Sequence, residues 1–223
     1  MLKFDTPAPV TAAVDVPAAS VRFVAADRGD TTVEVLPADA SESHDVRAAE
    51  RVRVTCADGL LRITAPEAPH RDPGESGRIQ VTVRLPSGSR VQVRAALGEL
   101  RGVGRLGEVT FEGERGTVDL EESVGAHLTV RSGDIHLGRL SGPARITTRK
   151  GDLTVAEATG GAIDLRTGHG DITVTAARGT CATLKATTSY GRIHNTLSNT
   201  QDTAARLAVT ATTSFGDIAA RSL

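Results

Sequence analysis

From Gly98 onward, apolar and polar residues alternate in runs of four or five, and a glycine opens each run. In Gly133-Asp134-Ile135-His136-Leu137, Gly151-Asp152-Leu153-Thr154-Val155 and Gly170-Asp171-Ile172-Thr173-Val174 the aliphatics fall on one side and the polar residues on the other. Gly116-Thr117-Val118-Asp119-Leu120, Gly191-Arg192-Ile193 and Gly216-Asp217-Ile218 continue the series, and complementary strands begin at Val109, Leu128, Ile146 and Ile163. A period of two with this density of Gly and Thr predicts strands and excludes helix. Glycines at 98, 107, 116, 125, 133, 142, 151, 160, 170, 179 and 191 make the unit about 17–19 residues, two short strands and two turns.

One such unit cannot bury its apolar face alone. Stacking units about 4.8 Å apart pairs the backbones and encloses a continuous aliphatic interior. The pattern therefore predicts an all-β chain, a β-solenoid (parallel β-helix-like) of units of about 18 residues over residues 91–223. Ile135, Leu153, Ile172, Ile193 and Ile218 form one internal ladder, joined by Val118, and the rung around Ile218 is its incompletely capped C-terminal end. Leu184–Ile193 and Val209–Ile218 are near-copies 25 residues apart, and the excess over one unit falls in Asn195–Asp202, read as a loop thrown out from a corner.

Residues 1–90 are also β but irregular, and are expected to cap the array, because an open parallel edge recruits other chains. Val21–Val24 and Thr32–Leu36 flank Asp27-Arg28-Gly29-Asp30 as a candidate hairpin. Val52–Cys56 and Leu60–Ile63 flank Asp58-Gly59, the clearest turn dipeptide in the chain. Residues 37–50 and 66–78 read as polar loops, and Gln80–Leu85 as a strand.

Composition narrows the core. With no Trp, one Tyr and four Phe, the interior must be Val, Ile, Leu and Ala, which suits a narrow, repetitive slot. Net charge is −1, from 26 Lys and Arg against 27 Asp and Glu, with no basic stripe and few rings for base stacking, so nucleic acid is not an expected partner. No stretch reaches the roughly 18 apolar residues of a membrane span, and the N-terminus carries no apolar signal region. Cys56 and Cys181 read as separate small thiols rather than a disulfide, so the expected location is the cytoplasm.

Candidate chemistry dissolves into architecture. Asp134, Asp152, Asp171 and Asp217 recur at one turn position, without the paired glycines of calcium-binding repeats, and are expected to hydrogen-bond their own turns. The Thr pairs 147–148, 187–188 and 212–213, and the spaced pair Thr173 and Thr175, do not recur on every rung as an ice-binding face requires, and read as a solvated β surface. The six histidines, among them His136 on the outward face and His169 in a turn, lack metal-ligand spacing. Asp119, Glu121 and Glu122 read as a solvated acidic turn, and no nucleophile elbow, phosphate loop or dinucleotide fingerprint occurs. No catalytic, cofactor or metal site is assigned, and the chain is not expected to be an enzyme.

The recurring Gly-Asp-[Ile/Leu]-Thr-Val strand, with Ser189-Tyr190-Gly191-Arg192-Ile193 and Ser214-Phe215-Gly216-Asp217-Ile218, resembles a bacterial β-strand-repeat family labelled "putative adhesin". The opening, Phe4–Pro7 through Val21–Asp27, looks like actinobacterial members of it. The resemblance implies a β-solenoid and brings no catalytic residues with it. The expected function is a non-enzymatic binding or scaffolding module, with protein partners on its flat faces or near Asn195–Asp202. The alternatives are a polymer assembled end to end through the solenoid ends and, with less in its favour, a glycan-binding or glycan-cleaving β-helix.

Overall fold

The computed structural model describes residues 1–65, 77–198 and 206–223. The chain opens with β1 (Leu2–Asp5), β2 (Thr11–Ala26) and β3 (Asp30–Pro37), a helix α1 (Ser43–Arg51), then β4 (Arg53–Ala57), β5 (Leu60–Thr64) and β6 (Ile79–Pro86). The glycine-punctuated region supplies β7 (Arg90–Arg115), β8 (Val118–Ser132), β9 (Ile135–Leu140), β10 (Ala144–Lys150), β11 (Leu153–Ala158), β12 (Gly161–His169) and β13 (Ile172–Ala176). It ends in β14 (Ala182–Tyr190), β15 (Ile193–Thr196), β16 (Leu207–Phe215) and β17 (Ile218–Ser222).

The expected solenoid is present, with two strands per rung. One parallel stack runs from β8 through β10 to β12, the other from β8 through β9 and β11 to β13. Both stacks begin on the long, corner-turning β7. Their inward aliphatics belong to one buried cluster that extends from Val10 to Ile218, so the stacks face each other across a single core. The alternation read from sequence appears directly as burial: Leu153 and Val155 are buried while Thr154 is half-buried, and Ile163 and Leu165 are buried around half-buried Asp164.

Stacking continues into the first 90 residues. β2 pairs in parallel with β7 along most of its length, and on its other side with β5 and β6. Antiparallel strands then close this end, β4 on β5 and β3 on β6, with β1 outside β3. The Asp58-Gly59 turn forms as expected, both residues at positive φ (48° and 73°), the backbone twist that a two-residue hairpin requires. The other hairpin does not form. β3 is occupied by β1 on one edge and β6 on the other, which leaves no edge for β2. Residues 37–50, expected to be loop, contain most of α1. Its apolar residues are few and small, yet Ala48 and Ala49 pack against the core beside Val52. The Asp45 carboxylate ties the helix down by accepting from the backbone N–H of Asp39 (3.0 Å) and of Arg78 (2.6 Å).

The C-terminal strands depart from chain order. β16 lies between β12 and β14, and β17 lies between β13 and β15. The internal file therefore runs Val118, Ile135, Leu153, Ile172, Ile218, Ile193. Ile218 is buried at 1% exposure and Ile193 is 47% exposed, so the terminal rung is β14–β15 and not the rung of Ile218. Asn195 and Thr196, expected to open a loop, lie in β15; residues 199–202 of that expected loop, and residues 66–76 of the second one, lie outside the described residues.

Candidate functional site

Each rung turns its corner on a glycine because backbone meets backbone there. At Gly133 φ is 147°, and a Cβ would collide with the carbonyl oxygen of Gly116 one rung away. The adjoining carboxylates do not brace their own turns, as the sequence suggested, but reach along the axis. Asp134 Oδ1 accepts from Asp152 N–H (2.9 Å), Asp152 Oδ1 from Asp171 N–H (2.8 Å), Asp171 Oδ1 from Asp217 N–H (2.7 Å) and Asp217 Oδ1 from Arg192 N–H (2.8 Å). Among the described residues no group of His, Cys, Asp or Glu is arranged to hold a metal ion.

The Thr pairs likewise split between surface and interior. Thr148 and Thr213 are buried, correcting the solvated reading, as is Thr167 of β12, and the hydroxyls of Thr148, Thr167 and Thr213 donate to the carbonyls of Lys150 (3.2 Å), Gly151 (3.0 Å) and Gly170 (3.1 Å). Thr188 does the same to Gly216 (3.1 Å). Thr175 is also buried and accepts from Arg221 Nε at 3.1 Å. At the corner an inward hydroxyl supplies the carbonyls of Gly151, Gly170 and Gly216, whereas the Lys150 carbonyl also accepts from Gly133 N–H of the next rung at 2.9 Å.

The array ends abruptly at β14–β15. Among the described residues β14 pairs only with β16 and β15 only with β17, which leaves one edge of both stacks without a described partner at the same end. The inward positions there are half-covered: Leu184 and Ala186 are partly buried, and Ile193 is exposed. Three rings stack along the neighbouring corner, His169 on Phe215 (centroids 4.7 Å, planes 3° apart) and Phe215 on Tyr190 (4.9 Å, 5°). Tyr190, at 69% exposure, is the last of them. Tyr190, Phe215 and Ile193 thus put exposed apolar side chains beside this edge.

The outer faces are laced by ion pairs between successive rungs, Arg94 with Glu112 (3.2 Å), Arg131 with Glu114 (3.0 Å) and Arg139 with Glu157 (3.6 Å). Asp119 lies in β8 rather than in a turn and meets His136 Nδ1 at 3.1 Å, while Glu121 accepts from Gly104 N–H at 2.8 Å. A shallow groove of about 620 Å³ follows the small residues Gly125, Pro143, Ala162 and Ala208 along one face. Beside it, at the corner, lies a second of about 610 Å³ lined by Arg131, Arg149, Lys150, Arg166 and His169, a concentration of cations that sequence reading missed. Cys56 and Cys181 form no disulfide; each is half-buried, and burial pushes the Cys56 thiol above its ordinary value.

A profile built from one protein family matches residues 14–219, nearly the whole array and its N-terminal rungs. The chain belongs to the Toastrack family, DUF4097. Among solved structures, this Toastrack chain is similar to a "putative adhesin" from Bacteroides fragilis, 12% identical, with a TM-score of 0.53 over 98% of this chain and 96% of that one. A "putative adhesin" from Parabacteroides distasonis is 13% identical, with a TM-score of 0.50 over 98% and 95%. These likenesses agree with the β-solenoid reading and with the family resemblance seen in the repeats; at such identities they speak to fold alone. No curated protein matches this Toastrack chain significantly.

Proposed function

We propose that this Toastrack protein is a non-catalytic binding module that takes a protein strand onto the open edge of its terminal rung. The observation that carries the reading is the one-sided pairing of β14 and β15, with Ile193 exposed beside them. Unpaired parallel edges present rows of N–H and C=O groups, and strand addition satisfies them while side-chain pockets choose the partner. The outer faces suit this role less well, since many of their charges are already paired across rungs. We place the module in the cytoplasm, a reading supported by two cysteines that are not joined in a disulfide.

A second copy is the alternative occupant, favoured by the ring stack: the outer face of Tyr190 ends a column that another ring could continue. The test is cross-linking capture with the purified chain and with a variant carrying Ala186→Lys and Ile193→Lys, charges at the half-covered inward positions of the edge, with circular dichroism showing that the variant folds. The same captured protein should be lost from the variant and kept by Arg94→Ala on the outer face. The converse pattern would refute edge binding. Sedimentation velocity separates the two occupants, because self-association makes the mass rise with concentration in the parent chain and not in the variant.

A further inference from the structure

The cationic corner groove lies two strands before the open end and is built independently of it. Arg131 comes from β8, Arg149 and Lys150 from β10, and Arg166 and His169 from β12, around a space of about 610 Å³. Among the described residues no carboxylate lines it. Arg131 is held by Glu114 at 3.0 Å. Arg166 is held by Asp164 at 3.0 Å, but that carboxylate also serves Arg145 at 3.7 Å. Among the described residues, no carboxylate lies within ion-pair distance of Arg149 or Lys150. The floor offers little competition for a ligand, since the Thr148 and Thr167 hydroxyls are committed to backbone carbonyls.

Shape follows from a missing side chain. Gly168 occupies the position next to Arg149 on the adjacent rung, where a Cβ would come within 2.7 Å of the Arg149 carbonyl oxygen. The resulting notch is flanked by Arg149, Arg166 and His169, whose ring is already stacked on Phe215. The contributing rungs repeat about every 4.8 Å, so the cations extend over about 10 Å along the axis. We infer that this groove binds a linear phosphate polymer, with successive phosphates spanning the β8, β10 and β12 rungs. A phosphate offers several oxygens to converging guanidinium and ammonium groups, whereas a carboxylate is matched by a single guanidinium fork. Nucleic acid fits less well, because the groove offers a single ring, His169, with one face already taken by Phe215.

The test is a titration of the intact chain with inorganic polyphosphate, pyrophosphate, orthophosphate, polyglutamate and a single-stranded oligonucleotide of matched charge. Affinity should rise with phosphate number, exceed that for polyglutamate and the oligonucleotide, and fall with added salt. Arg149→Gln and Lys150→Gln should each weaken polyphosphate binding by about tenfold. Lys185→Gln, a cation on the terminal rung, should leave it unchanged, with circular dichroism showing that all three variants fold. Equal binding of polyglutamate, tighter binding of the oligonucleotide, or an equal loss in Lys185→Gln would overturn the assignment.

Discussion

Replacing Ile218 and Ile193 separately by Ala discriminates between chain order and the observed strand order. Each substitution removes three carbons, worth about 2.4 kcal/mol of transfer free energy if the site is fully buried. Ile218 is 1% exposed and lies between Ile172 and Ile193, so a cavity penalty adds to that loss and the cost should be about 3 kcal/mol, within the usual range for such cores. Ile193 is 47% exposed and, among the described residues, has no rung beyond it, so roughly half the transfer value is at stake and no closed cavity forms, about 1 kcal/mol. In urea unfolding followed by far-ultraviolet circular dichroism, with a slope of about 2 kcal/mol/M, the midpoint should fall by about 1.5 M for Ile218→Ala and about 0.5 M for Ile193→Ala. If the stack followed chain order, Ile193 would be the interior residue and the ranking would reverse. Equal or reversed losses would refute the insertion of β17 between β13 and β15.

Two further outcomes follow from the corners and the first edge. Asp171→Ala removes the acceptor for Asp217 N–H and should cost about 1 kcal/mol, a fall in Tm of about 2–4 °C, while Asp171→Asn keeps an acceptor and should fall clearly less; equal falls would show that charge, not the axial hydrogen bond, matters. The Arg28 side chain, hydrogen-bonded to Asp30, and then Lys3, hold the Asp30 carboxyl below its ordinary value. Because its folded value is the lower one, this contribution is present above the unfolded carboxylate value of about 3.9 and is lost as pH falls through the folded value. The protection of β1 amides, as exchange rate relative to the intrinsic rate at each pH, should therefore fall on acidification below about pH 4 in the parent chain, with a weaker pH dependence in Asp30→Asn; identical protection profiles would remove Asp30 as the cause.

The array was legible because a period of two and a regular glycine leave few ways to bury Ile, Leu and Val. The helix was not, since its nine residues bring only alanines to the core and it is stabilised by Asp45 reaching remote backbone. Strand order was obscured by the likeness of Leu184–Ile193 and Val209–Ile218, either of which fits the inner slot. A signal for it was nevertheless present in the turn column. Asp134, Asp152, Asp171 and Asp217 each need a following N–H to accept from, whereas Arg192 has nothing to offer a further rung, so the rung of Arg192 belongs at the end. The cationic groove escaped a linear search because its charges come from separate strands, and reading in steps of one rung aligns Arg131 with Arg149. The inward Thr hydroxyls were missed because β propensity places Thr in strands without saying which face it takes.

The inserted rung also constrains the order of assembly. During synthesis β14 and β15 are made before β16 and β17, yet the native stack separates them from β12 and β13 by those later strands. If the earlier pair docked first, in the register its near-copy sequence permits, it would have to be dislodged before the later one could slot in. Completion of this array is thus an exchange step rather than simple zippering from one end, and it offers a point at which refolding could stall with the two look-alike rungs transposed.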